Sequence, residues 1–216
     1  MKPWQRQEPF VHLSDSVVHG LSRIAEVHRY PKGTVLFRDG EPAQDLWIIR
    51  RGWVRLVKKT TDSKALTLDL VTPKDRLLGL SAFSEKTYLA SAITATPVEV
   101  VRIPAKAVRE VLQSDAKFAS CVTRIFSHRF HHMAQAYATA FAPVEQRIAS
   151  VLLRLNEDFG ATLPVTRREV AELAGTTVET AIRVTNRMRK ENLLLMQRGK
   201  IVLMNPKGLS KKIQTV

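Results

Sequence analysis

Glu179 and Arg183 stand four residues apart in the stretch TTVETAIRVTNRMRK, residues 176–190, directly after Gly175. An acid and a guanidinium at that spacing share one face of a helix. Two kinds of chemistry fit them. They can bond to each other as a surface ion pair, with Glu179 also available as the acid of a capping box Thr176-x-x-Glu179. Or both can be held out against base edges, where arginine donates two hydrogen bonds to guanine and glutamate accepts one from cytosine. Ala181, Val184 and Met188 recur at i, i+3, i+7 and claim the buried side of the helix. That turns Glu179 and Arg183 outward together with Val178 and Ile182. Two aliphatic groups on an outward face suit thymine methyls better than water, which favours base reading.

The elements that must hold such a face are legible around it. Thr166-Arg-Arg-Glu169 has capping-box spacing, and Val170, Leu173 and Ala174 give the helix that follows its apolar side. Gly175 allows a tight turn, and Thr177 is the better N-cap for the next helix. The alternating stretch LLLMQRGKIVLMN, with Arg198-Gly199 at its tip, reads as a hairpin. Two helices joined by a glycine turn and followed by a basic-tipped hairpin describe a winged helix-turn-helix over residues 143–216. Arg167, Arg198 and Lys200, with the cap hydroxyls of Thr166 and Thr177, are then placed for phosphate contacts.

Upstream of Pro143 the pattern changes. From Ile24 to Ile103 short alternating runs (TVLF, DLWIIR, GWVRLV, ALTLDLV, YLASAITA, VEVVRI) are punctuated by Gly, Pro and Asp, which predicts an antiparallel roll or sandwich within residues 1–114. Residues 115–142 hold a helix without Gly or Pro, running to about Phe141 and roughly 40 Å long. Phe118, Val122, Ile125, Arg129, Met133, Ala136 and Ala140 alternate in steps of three and four along it. The last five are the expected seam of a symmetric dimer; the alternative is that the stripe packs on the roll. The fold class is therefore α+β: roll, long dimer helix, winged helix-turn-helix.

Composition agrees with this organisation. Thirty-four Lys and Arg against twenty Asp and Glu give +14, of which the last 74 residues carry +6, and a basic surface points to a polyanion such as double-stranded DNA. Neither a segment of membrane-span length nor a signal-peptide core is evident, so a cytoplasmic protein without a membrane partner is expected. Cys121 is the only cysteine, which excludes an intrachain disulfide and an iron–sulfur cluster held by four thiolates. No nucleophile–base set, metal-ligand spacing or phosphate-binding glycine loop is present, so neither an enzyme nor a metal site is expected.

RDGEPAQDLWIIRRGWVRL and ELAGTTVETAIRVTNRMRKENLL resemble the β-roll hairpins and the helix-turn-helix of the bacterial CRP/FNR transcription regulators, and the likeness covers nearly the whole chain. The resemblance implies that Glu179 and Arg183 read a TGA-type half-site, that a homodimer binds a palindrome, and that the bound regulator touches RNA polymerase. In cyclic-AMP-binding members, Gly-Glu-Leu and Arg-Ser-Ala segments hold the ribose and the cyclic phosphate. Here they read Gly79-Leu80-Ser81 and Ala90-Ser91-Ala92, lacking both the acid and the arginine that would neutralise a buried phosphate, so cyclic AMP is not expected to bind.

Gly79, Leu80, Ser81, Ala90 and Ser91, with His132 and Met133, are the candidate lining of an effector pocket. Either a small apolar effector or none remains open. His128, His131 and His132, with His12, His19 and His28 upstream, keep a haem-dependent gas sensor as an alternative, although no cofactor is expected. From another class, a ligand-binding or protein-interaction module that does not act through DNA is the remaining alternative.

Overall fold

The computed structural model describes residues 3–6, 8–59, 65–72, 77–84 and 86–214. It contains two compact units, Met1–Phe130 and His131–Val216. Among the described residues no helix is long and apolar enough to cross a membrane.

The first unit is built on strands β1 (Glu26–Tyr30), β2 (Val35–Phe37), β3 (Asp45–Arg51), β4 (Val54–Lys59), β5 (Ala65–Val71), β6 (Leu77–Leu78), β7 (Ser91–Thr94) and β8 (Val98–Pro104). They form two antiparallel four-stranded sheets, ordered β1-β8-β3-β6 and β2-β7-β4-β5, the roll among the two architectures that the alternating runs allow. Side chains on a strand alternate between faces, and β3 and β8 bury both. Trp47, Ile49, Val98 and Val100 join Phe37, Tyr88 and Val54 in the roll interior. Leu46, Ile48, Val101 and Ile103 instead meet the helices. DLWIIR is accordingly apolar on consecutive positions, as a strand covered on both sides must be.

Helices α1 (Asp15–Ile24), α2 (Ala105–Ser114) and the start of α3 (Ala116–Thr139) supply the second cluster. It also takes Trp4 and Phe10 from two short 3-10 turns, Pro3–Arg6 and Phe10–His12. Neither α1 nor these turns was expected from the sequence.

The roll interior is filled by its own aromatic side chains. Phe37 stacks on Tyr88 at 3.7 Å between ring centroids, and Trp47 lies 6.0 Å from Phe37. The Tyr88 hydroxyl accepts from Trp47 Nε1 and from the Asp45 amide, each at 3.2 Å, and donates to the Asp45 carbonyl at 2.9 Å. Burial pushes the Tyr88 phenol above its ordinary range, so it keeps its proton and its place in this network.

The turn from β3 to β4 depends on one glycine. Gly52 has φ +75°, and a Cβ added there would stand 2.2 Å from the Pro97 carbonyl oxygen. Gly52→Ala should therefore destabilise the roll by about 2–4 kcal/mol, from left-handed backbone strain plus a contact with backbone that cannot move aside. Urea unfolding followed by tryptophan fluorescence would measure it.

The second unit contains α4 (Val144–Phe159), β9 (Thr162–Leu163), α5 (Arg167–Leu173), α6 (Val178–Lys190), β10 (Leu194–Gln197), β11 (Lys200–Leu203) and α7 (Pro206–Gln214). Its sheet runs β10-β11-β9. Pro143 is the N-cap of α4, where its fixed φ suits a helix start. The terminal helix α7, absent from the sequence-based expectation, buries Leu209 completely.

Candidate nucleic-acid interface

The turn between α5 and α6 is specified atom by atom. Thr166 caps α5 in a reciprocal box: its amide donates to Glu169 Oε2 at 2.7 Å, and its hydroxyl accepts from the Glu169 amide at 3.3 Å. At the other end Gly175, with φ +59°, lets the Thr176 amide reach the Ala171 carbonyl at 3.0 Å and its own amide reach Glu172 at 3.3 Å. This is a Schellman closure, which requires the left-handed residue that glycine supplies. Arg147 on α4 then clamps the turn, donating to the carbonyls of Ala174 at 2.8 Å, Ala142 at 3.0 Å and Gly175 at 3.2 Å. A guanidinium against the carbonyl end of α5 also complements its dipole.

Thr177 starts α6 as its N-cap, the hydroxyl accepting from the Thr180 amide at 3.2 Å. Ala181, Val184 and Met188 are buried, as their spacing predicts, and Thr185 joins them by bonding back to the Ala181 carbonyl at 2.7 Å. The opposite face carries Glu179, Ile182 and Arg183, all exposed, with Val178 half-buried beside them. Among the described residues neither Glu179 nor Arg183 makes a salt bridge or side-chain hydrogen bond. The intrahelical ion pair is therefore not formed, and the cap is Thr177 with Thr180 rather than Thr176 with Glu179.

The far end of α6 is anchored by charge. Arg187 reaches Glu145 at 3.1 Å, and Lys212 of α7 bridges Glu145 at 3.0 Å and Glu191 at 2.7 Å. Hydrogen bonds to Glu191 and then Glu145 hold the Lys212 ammonium above the usual lysine range. Asn192 closes the helix with φ +57° in a second Schellman pattern.

The wing and the start of α5 enclose a groove of 370 Å³ lined by Thr166, Arg167, Arg168, Arg198, Gly199 and Lys200, among others. Arg198 and Lys200 are exposed at the hairpin tip. Arg167 is only half-exposed: it donates to Asn186 Oδ1 at 3.1 Å and so ties α5 to α6, while its Nε is buried without a partner. Arg168, which the sequence reading passed over, adds a further guanidinium to the groove, paired with Glu172 at 3.2 Å.

The residues expected along the dimer seam fall in two environments. Phe118 and Val122 are buried in the helix-side cluster of the first unit, and Ile125 packs against it. Arg129 donates to the Leu77 carbonyl of the roll. Ile125 and Arg129 thus make contacts within the first unit, where the sheets need a covering helix and meet the nearest apolar edge of α3. Met133 and Ala140 are exposed, and the side chain of Ala136 lies outside the described residues. The large apolar groups facing outward are Phe126, Phe130, Met133, Tyr137 and Phe141, of which Phe130 and Tyr137 are each 73% exposed. Their spacing of four, three, four and four is legible in the sequence; it shares Met133 with the expected seam and otherwise lies one residue beyond it.

Of the effector-pocket candidates, Gly79 adopts a left-handed conformation at the head of a 3-10 turn, Leu80–Phe83. Leu80 packs against the cluster holding Trp4, Phe10 and Phe118, and Ser81 is half-buried with its carbonyl accepting from Ser84. Ala90 is buried, and the half-buried Ser91 hydroxyl accepts from the Asp39 amide at 3.0 Å. Met133 is exposed, and the side chain of His132 lies outside the described residues.

Comparison with known proteins matches both units. Residues 27–115 match the cyclic nucleotide-binding domain family and residues 146–212 the Crp-like helix-turn-helix domain family. A CRP-like cAMP-activated global transcriptional regulator of Mycobacterium tuberculosis is 27% identical over 180 residues, covering 79% of this chain and 80% of the relative. A CRP/FNR-family transcriptional regulator of Thermus thermophilus superposes with a TM-score of 0.69 at 26% identity, covering 88% of this chain and 99% of that one. FixK2 of Bradyrhizobium japonicum shares the fold, with a TM-score of 0.80 at 19% identity over 87% of this chain and 96% of its own. With the roll and the winged helix-turn-helix each matched in its own right, the chain belongs to the CRP/FNR family of transcription regulators, DNA-binding proteins rather than enzymes.

Proposed function

We propose that the chain acts in the cytoplasm as a homodimer on a palindromic duplex, laying α6 of each copy in successive major grooves about 34 Å apart. The observation that carries this reading is the outward face of α6, where Glu179 and Arg183 are exposed and bonded to nothing among the described residues, with Val178 and Ile182 alongside. Arg183 donates to guanine and Glu179 accepts from cytosine within a TGA-type half-site, and the aliphatic pair meets thymine methyls. Thr166, Arg167, Thr177, Arg198 and Lys200 hold phosphates on either side, with Arg168 added from the groove. Contact with RNA polymerase and a role as activator follow from the same family.

The roll works without cyclic AMP. Leu80 is packed into apolar neighbours where an acid would hold ribose, and Ala90 is a buried methyl where a guanidinium would meet phosphate. A methyl at that position does nothing to offset the desolvation of a buried cyclic phosphate.

Selection of bound duplexes from a random library tests both parts. The expected product is a two-fold symmetric site with TGA-type arms, recovered equally with and without added cyclic AMP. Affinity for it should fall about 10³–10⁵-fold between roughly 50 and 200 mM salt if six to ten phosphates are contacted. A site without symmetry, or recovery only with cyclic AMP, contradicts the proposal.

A further inference from the structure

Away from the DNA-reading unit, three potential metal ligands converge in the first unit. A carboxylate oxygen of Glu8, an imidazole nitrogen of His12 and Sγ of Cys121 all lie within 4.8 Å of one another. Glu8 Oε1 is 3.9 Å from His12 Nε2. Packing places them together: Phe10, between the first two, is buried against Trp4 at 5.2 Å and Phe118 at 5.6 Å, which fastens the N-terminal turn to the first turns of α3. Cys121 lies one turn beyond Phe118 and is 8% exposed, while Glu8 and His12 are nearly half exposed at the rim.

We propose that Glu8, His12 and Cys121 form a binding site for a borderline divalent cation of the zinc class. Thiolate, imidazole and carboxylate together select such an ion over magnesium or calcium, which take oxygen ligands alone. Metal–ligand bonds of about 2.0–2.3 Å put the ligand atoms of a tetrahedral site roughly 3.5 Å apart. Closing the site therefore takes about 1 Å of movement, within reach of the two rim side chains. The charges balance as well, since one thiolate and one carboxylate offset a dication; binding releases the thiol proton to solvent and breaks no other covalent bond.

A cation already favours this place. The Arg124 guanidinium donates to Glu8 and lies 3.7 Å from Cys121 Sγ. Arg124 is 61% exposed, so it can turn to solvent when the metal takes the carboxylate. Three protein ligands leave a fourth position for water or a small molecule, as in sites that exchange ligands. The bound ion links the N-terminal turn to α3, giving the first unit a chemical input that cyclic AMP does not supply. Nothing in this depends on the base-reading assignment.

Cobalt titration of the full-length chain tests it, because a thiolate bound to Co²⁺ produces a near-ultraviolet charge-transfer band. We expect the band to saturate at one cobalt per chain, with the visible bands of a four-coordinate ion, and to bleach on adding Zn²⁺. Cys121→Ser should abolish the charge-transfer band. His12→Gln and Glu8→Gln alter only rim side chains and should each weaken cobalt binding roughly tenfold or more, by analogy with the sensitivity of metal sites to lost partners. No charge-transfer band at one equivalent, or unchanged affinity in both rim variants, overturns the site.

Discussion

Arg183→Ala should reduce affinity for the selected palindrome by about 1–3 kcal/mol per half-site, roughly 5- to 150-fold, and erase the preference at a single base pair of each arm. The side chain is exposed on α6 and bonded to nothing among the described residues, so its removal leaves no buried group unpaired and the unit keeps its fold. Arg183→Lys is the informative companion. It preserves the charge but loses the planar fork that grips guanine with two hydrogen bonds. A role limited to attracting phosphates predicts near-normal binding for the lysine variant; base reading predicts a loss close to that of alanine. Lys200→Ala, at the wing, should instead weaken all duplexes alike and lower the slope of the salt dependence by about one per half-site. Full discrimination by Arg183→Ala across a panel of single-base variants contradicts the assignment of the reading face.

The second large effect concerns assembly. Phe130, Met133 and Tyr137 are each about 70% exposed, and with Phe126 and Phe141 they make a contiguous apolar spacing that water does not favour. A second copy is the occupant that a palindromic site requires. Phe130→Glu combined with Tyr137→Glu should turn the proposed homodimer into monomer in sedimentation. It should also lower affinity for the palindrome about 10²–10⁴-fold, the advantage that linked binding of two modules confers. Affinity for a single half-site should stay unchanged, which separates lost assembly from a damaged reading unit. A variant that sediments as a dimer and binds the palindrome as wild type does would move the interface elsewhere.

Much of the DNA-reading unit is written locally in the chain. The box Thr166–Glu169, the left-handed Gly175, the Thr177 cap and the buried triplet Ala181, Val184 and Met188 each act over a few residues. For that reason the two-helix turn and its outward face follow from spacing alone. The antiparallel strands were legible for the same reason, since alternation and turn residues are local signals, whereas the choice of roll over sandwich was not. The helices α1 and α7 were not, because each is short and stabilised by the surface it covers rather than by its own pattern.

What the sequence determined by itself is thus the pair of domain types and the side of α6 that faces outward, both set by periodicity over one or two turns. Tertiary structure alone decided three things. It packed Ile125 and Arg129 within the first unit and left the aromatic residues one step along α3 exposed, because helical spacing alone does not say which surface each edge meets. It left Glu179 and Arg183 apart, because an i,i+4 pair worth a few tenths of a kcal/mol does not hold two long solvated side chains together. And it brought Glu8 and His12 to Cys121, a meeting between distant parts of the chain that depends on where the ring of Phe10 is buried.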